Sequence, residues 1–392
     1  MDVRNLAQDV AADVVKWRRD LHQIPEVGQY LPQTSEYVCS QLDDMGVEYE
    51  TGVGLESAIV ATVKGNRNGM CIALRADMDG LPVKEETGLS FASVNGNMHA
   101  CGHDAHTSIM LGAVKVLNQL KDQFSGTVKF LFQPAEEISA GAQPMIEGGA
   151  LDGVDAIVGM HVGHISDEVK GGNALFSTGS MMACLDRFTL KVKGIGSHGA
   201  YPHNSRDPVV MAAHIITSLQ EIISRELDPV DPGVITIGMV QGGSTYNVIP
   251  GDVYLEGTAR AVNQKTREYL AGRIGEISEN IAKGFRGSTE YKYFYGAPPL
   301  VNDEKFTLKV FESAGKAIGS DKVHLINKPV MGGEDFAYYL EKIPGTFIFL
   351  STPMAVDGTV YPHHNSRFAL GEEYFESGVA ILVQSALDFL NE

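Results

Sequence analysis

The feature that most limits the fold of this chain is an alternation. Short apolar, β-rich runs at Ala58 to Val63, Met70 to Arg75, Thr127 to Phe132 and Ala156 to Val162 are separated by helical stretches such as His106 to Leu120. Strands of this kind need cover on both faces, which predicts an α/β fold with a central sheet flanked by helices. Leu6, Val10, Val14, Trp17 and Leu21 recur at helical spacing between Asn5 and Gln23, so a helix opens the chain, and Ile24-Pro25 ends it. Between about Leu185 and Tyr295 the order changes to strand, long helix, two strands, long helix, strand, the pattern of a ferredoxin-like α+β unit. Alternation then resumes, with an apolar run at Thr346 to Leu350 and a last helix from about Tyr374 to Leu390. The expectation is a discontinuous domain over residues 1–184 and 297–392, with central mixed sheet, and an inserted unit over residues 185–296.

A length of 392 residues favours two cores over one, and 44% hydrophobic with 20% charged residues is a globular rather than a disordered composition. The formal charge of −18 repels phosphate backbones and anionic bilayers, which argues against nucleic acid and membrane partners. No apolar stretch approaches the roughly 20 residues of a membrane span. Asp2, Asp9 and Asp13 break the basic-then-apolar order of a signal peptide, so the expected location is cytoplasmic. Cys39, Cys71, Cys101 and Cys184 are widely spaced, which suits reduced thiols. Only Cys101 sits among other ligand types.

His99, Cys101, His103, Asp104 and His106 crowd the start of a helix, and thiolate with imidazole suits zinc, manganese, cobalt or nickel. A polar loop with a helix cap at Asp104 is the competing explanation. Further donors follow predicted strands. Glu136 and Glu137 come just after Pro134, where a loop can aim both carboxylates at one centre, although an acidic pair is also a common solvated turn. His161 ends an apolar run at the sheet edge where α/β sites lie, or else is a satisfied core histidine. The pair His363-His364 offers a last imidazole, and Asp77 and Asp79 are placed to orient a ligand histidine or steady a base, or to cap helices. No Gly-x-Ser-x-Gly elbow, phosphate loop or zinc-deaminase signature occurs.

Taken together, Trp17-Arg-Arg-Asp-Leu-His22, Arg75-Ala-Asp-Met-Asp-Gly-Leu-Pro82, His99-Ala-Cys-Gly-His-Asp-Ala-His106, Phe132-Gln-Pro-Ala-Glu-Glu137, Gly159-Met-His-Val162, Ser197-His198, Asn247-Val-Ile-Pro-Gly251, Gly257-Thr-Ala-Arg260 and Gly332-Gly-Glu-Asp-Phe336 are specific. With them the chain resembles, over nearly its whole length, the hippuricase and aminoacylase branch of the dinuclear metallopeptidase superfamily, which also holds carboxypeptidase G. The resemblance implies metal ligands at Cys101, His103, Glu137, His161 and one C-terminal histidine, with Glu136 as general base and Asp77 and Asp79 in support. His364 is favoured over His363 because His364-Asn-Ser-Arg-Phe368 lines up with the family's His-x-Pro-x-Phe, Ser366 replacing the proline. If Cys101 bridges, five groups make six bonds, three to each of two divalent ions such as Mn, Zn, Co or Ni. The same resemblance implies a homodimer in which His198 of the inserted lid and dimerisation domain crosses to the partner's site to stabilise the oxyanion. Asn247 and Arg260 then hold the substrate carboxylate. The implied activity is hydrolysis of N-acyl-L-amino acids. The alternatives are a dipeptidase or carboxypeptidase acting on short peptides at the same centre, and a metal- or ligand-binding homologue without catalysis.

Overall fold

The computed structural model describes residues 2–164 and 169–391, which divide into two compact units. The first comprises Met1–Gly179, Asn302–Lys328 and Tyr338–Glu392. Its eight-stranded sheet runs in the order Glu48–Thr51, Ile59–Lys64, Thr127–Gln133, Cys71–Asp77, Ala156–Gly163, Gly345–Ser351, Ala174–Phe176, Val323–Leu325. The four strands from Thr127–Gln133 through Gly345–Ser351 are mutually parallel, and antiparallel pairs lie to either side. Cys71–Asp77, Ala156–Gly163 and Gly345–Ser351 are buried at every residue, as strands covered on both faces must be. The mixed, helix-flanked sheet expected from the alternation is therefore present, with each expected strand within one or two residues of its observed bounds.

The opening helix Val3–His22 starts where the Asp2 side chain accepts from Arg4 and Asn5 N–H. Its buried stripe Val10, Val14, Trp17 and Leu21 packs against the helices His103–Gln119 and Phe375–Leu390. Gly112 makes that junction possible, since a Cβ there would stand 2.7 Å from Val14 Cγ2 and 2.8 Å from Val379 Cγ2.

The second unit comprises Ser180–Val301 and Pro329–Ala337. Its antiparallel sheet has the order Gly233–Gly242, Asp252–Ala261, Asp186–Lys193, Ser288–Phe294, the ferredoxin-like arrangement. Asp252–Ala261 alternates strictly between buried and less buried residues, and its inward side chains join those of the helices Pro208–Glu221 and Gln264–Gly284 in one core. The unit reaches beyond residues 185–296 because Ser180–Met182 pairs with Leu300–Val301, and Val330 bridges to Met182.

Candidate metal centre

Parallel neighbours end together, and that places the first donors. Asp77 closes Cys71–Asp77 opposite Gln133, Glu136 and Glu137 follow Gln133, and His161 lies near the end of Ala156–Gly163. All are thus at the carboxyl edge of one sheet, where open α/β sheets place ligands. The loop after Gln133 is strained on both sides of the acidic pair, with φ +63° at Ala135 and +50° at Ser139. Asp79 holds it there: its Oδ1 accepts from Glu136 N at 3.0 Å and its Oδ2 from Glu137 N at 3.2 Å. Asp77 is fixed by Arg75, whose Nη1 donates to Oδ2 at 2.6 Å.

The remaining donors come from the loop before the helix His103–Gln119. Gly102, at φ +92°, turns the chain between Cys101 and His103, and a side chain there would meet Leu370 and Val162 at 3.1 Å. His103 lies between the carboxylates, with Nδ1 3.4 Å from Asp79 Oδ1 and Nε2 3.8 Å from Asp77 Oδ2. The same Nε2 is 3.9 Å from both Glu136 Oε2 and Glu137 Oε1. His161 donates Nδ1–H to Val162 O at 2.9 Å, which leaves the Nε2 lone pair facing Cys101 Sγ at 3.4 Å. His364, at φ +66°, brings Nε2 within 3.4 Å of Glu137 Oε2. The ligand atoms form two groups that share Cys101: with His103 and His161, and with Glu137 and His364, each within 4.8 Å.

Adjacent histidines that look equivalent in sequence part company here. His363 Nε2 bonds to Val162 O at 3.1 Å and its ring packs on Phe368, so burial holds its imidazolium down to about 4. Within the crowded loop, His106 is likewise spoken for. Its Nδ1 is 2.5 Å from Asp77 Oδ1 and its Nε2 accepts from Val162 N at 2.8 Å. Asp104 is turned away, toward Arg18 and His22. His99 is buried with neither ring nitrogen hydrogen-bonded, and burial pushes its imidazolium down to about 3.

The donor set fits a divalent cation on its own chemistry. His103 Nε2 and Glu137 Oε1 are buried without hydrogen-bond partners, an expensive arrangement that a cation relieves. Burial and the neighbouring Glu137 push the Cys101 thiol well up, and burial raises the Glu137 carboxyl. A positive ion reverses both effects and draws out the thiolate. Soft sulfur with imidazole and carboxylate matches a first-row transition metal.

His198, Asn247 and Arg260 belong to the second unit. His198 lies on the short strand Ser197–His198, paired with Val248 next to Asn247, and the Gly199 N–H donates to Asn247 O at 2.8 Å. Ala200 N donates to His198 Nδ1 at 3.1 Å, which puts the imidazole proton on Nε2. Arg260, near the end of Asp252–Ala261, is partly buried, with Nη1 donating to Ala259 O at 3.3 Å.

The model of peptidase family M20/M25/M40 matches residues 73–388. N-acetyl-L-cysteine deacetylase of Bacillus subtilis is 40% identical over 95% of this chain and 87% of its own. Thermostable carboxypeptidase 1 of Saccharolobus solfataricus is 36% identical over 100% of this chain and 98% of its own. The crystal structure of the Bacillus subtilis YXEP protein, described as a dinuclear metal binding peptidase, superposes with a TM-score of 0.84 at 34% identity, covering 98% of this chain and 99% of that one. The residues matched span the carboxylates, the cysteine loop and the C-terminal histidines alike, and the chain belongs to peptidase family M20/M25/M40.

Proposed function

We propose that this protein is a metal-dependent amidohydrolase that cleaves the amide bond of N-acyl-L-amino acids. The observation that carries this reading is the pair of three-residue donor groups sharing Cys101, with Glu136 beside them. The relative named for N-acetyl-L-cysteine deacetylation supports the substrate class. Cys101, His103, Glu137, His161 and His364 would hold two divalent ions, manganese, zinc, cobalt or nickel. When bound, such a pair lowers the pKa of water and polarises an amide carbonyl.

The chain's own groups do the rest. Glu136 takes the proton of the attacking water and delivers it to the leaving nitrogen, its position set by the bond from its N–H to Asp79. Asp79 faces His103 Nδ1 at 3.4 Å and orients the ring, leaving Nε2, 3.8 Å from Asp77 Oδ2, as the donor atom. In a homodimer, the partner subunit's His198 offers its Nε2–H to the carbonyl oxygen as charge develops there, while Asn247 and Arg260 receive the substrate carboxylate. The edge strand Gly233–Gly242 supports such pairing: Met239 and Val240 on it, with Tyr246 and Val248 beyond, expose large apolar side chains next to unpaired backbone. Four free thiols favour a cytoplasmic setting, and no described helix is long and apolar enough to cross a membrane.

The carboxypeptidase relative favours a second reading, release of C-terminal residues from short peptides by the same centre. A panel of N-acetyl-, N-benzoyl- and N-formyl-amino acids, dipeptides and blocked peptides, run with each metal added back to the stripped protein, separates the two. The expected outcome is fastest amine release from N-acyl-amino acids, with Glu136→Gln slower by about 10²- to 10⁴-fold while still binding metal. Preference for dipeptides supports the second reading, and undiminished activity of Glu136→Gln overturns both.

A further inference from the structure

The motif Trp17 to His22 plays no part in the chemistry above, yet two of its side chains are among the most deeply buried charges in the first unit. Arg18 and His22 are each 1% exposed and both reach Asp104, the second residue of the helix His103–Gln119. Arg18 Nε is 2.9 Å from Asp104 Oδ2, and His22 Nδ1 donates to the same oxygen at 2.7 Å. The cluster is tied outward in three directions. His22 Nε2 meets Glu85 Oε1 at 3.2 Å, Arg18 Nη1 meets Glu372 Oε1 at 3.4 Å, and the Arg18 guanidinium lies 4.8 Å from the centre of the Phe91 ring.

Stability alone does not account for such a cluster. Burying three charged groups costs desolvation that their attraction seldom repays, and well-packed apolar residues of similar volume usually do as well. What the cluster does hold is orientation. At 100° per residue, Asp104 and His106 flank His103 on the first helical turn, one on each side. His106 is fixed to Asp77, and Thr107 Oγ1 donates to Asp77 O at 2.9 Å. Asp104 is fixed to Arg18 and His22 on the opposite flank. The turn is gripped from both sides with His103 between, and Cys101 is joined to it through Gly102.

We infer that Arg18, His22 and Asp104 form a positioning anchor for the metal loop, setting the angle at which His103 and Cys101 meet their ion. This rests on the metal-centre reading. The anchor touches no ligand atom and works through the backbone of the first turn.

The test replaces charge by volume. Stripped wild-type protein, the triple variant Arg18→Met, His22→Leu, Asp104→Leu, and the single variants His22→Leu and His22→Asn are titrated with Mn²⁺ in equilibrium dialysis, and their metal-free unfolding midpoints are measured alongside. The expected result is a metal dissociation constant raised about 10- to 100-fold in the triple variant and in His22→Leu. The metal-free midpoint of the triple variant stays close to that of wild type. His22→Asn, which keeps a donor at the Nδ1 position, regains most of the affinity. Wild-type affinity in both the triple variant and His22→Leu overturns the anchor. If the triple variant does not fold, equal affinities for His22→Leu and His22→Asn overturn it instead. Wild-type protein that takes up no metal overturns the metal-centre reading itself.

Discussion

Asp79 shows how much a single side chain carries at the scale of the residue. Its two oxygens hold the backbone N–H groups of Glu136 and Glu137 in a loop strained on both sides. Asp79→Ala strips both acceptors, at about 1–3 kcal/mol for each buried N–H left without a partner. Turnover should fall about 10- to 100-fold, and the metal-free protein should unfold at lower urea. Steady-state kinetics and urea titration check the two effects together, and a variant with full turnover would show that the loop holds itself. His22 supplies a prediction of opposite character, in pH. Burial and Arg18 press its imidazolium down, but Asp104 and Glu85 act more strongly and leave it raised, with His99 as its other titratable neighbour. A group raised on folding gives stability that is fully present below its unfolded value, about 6.5, and is lost as pH climbs through the folded value. The urea midpoint of metal-free protein should therefore lose this contribution above about pH 6.5, and His22→Asn should flatten the slope. An unchanged slope would mean that folding leaves the His22 pKa where it stands in the unfolded chain.

At the scale of the element, the start of the helix His103–Gln119 is the critical piece. Gly102→Ala forces a side chain into φ +92°, which costs about 1–2 kcal/mol, and presses it on Leu370 and Val162. It should lower both the thermal midpoint and metal affinity; an isothermal titration matching wild type would show that the turn tolerates the shift. The elements themselves were legible in the sequence. Buried parallel strands read as continuous apolar runs, and the opening helix shows its stripe, because burial acts through local periodicity. The division of labour within the cysteine loop was not legible. Cys101, His103, Asp104 and His106 lie within six residues, and nothing in their spacing says that His106 turns to Asp77 and Asp104 to Arg18. Those choices depend on partners 29 and 82 residues away, as in His106 with Asp77 and Asp104 with His22. His364 could be preferred to His363 only through the family pattern; the physical reason, the bond from His363 to Val162, is a tertiary contact.

At the scale of the whole molecule, a site proposed to need the partner subunit's His198 makes activity depend on assembly. The exposed edge strand is where charge should interfere, since natural edges are blunted by lysine. Val240→Lys should shift the protein toward monomer in sedimentation velocity, with activity falling in step; a fully active monomer would remove His198 from the mechanism. The proposed pair of ions on five groups around one shared thiolate is tested most directly by elemental analysis of protein reconstituted with Mn²⁺ and desalted, for wild type, Cys39→Ala and Cys101→Ala. Two metals per chain are expected in wild type and Cys39→Ala, with loss of metal together with activity in Cys101→Ala. One metal per chain in wild type, or two retained by Cys101→Ala, would contradict it.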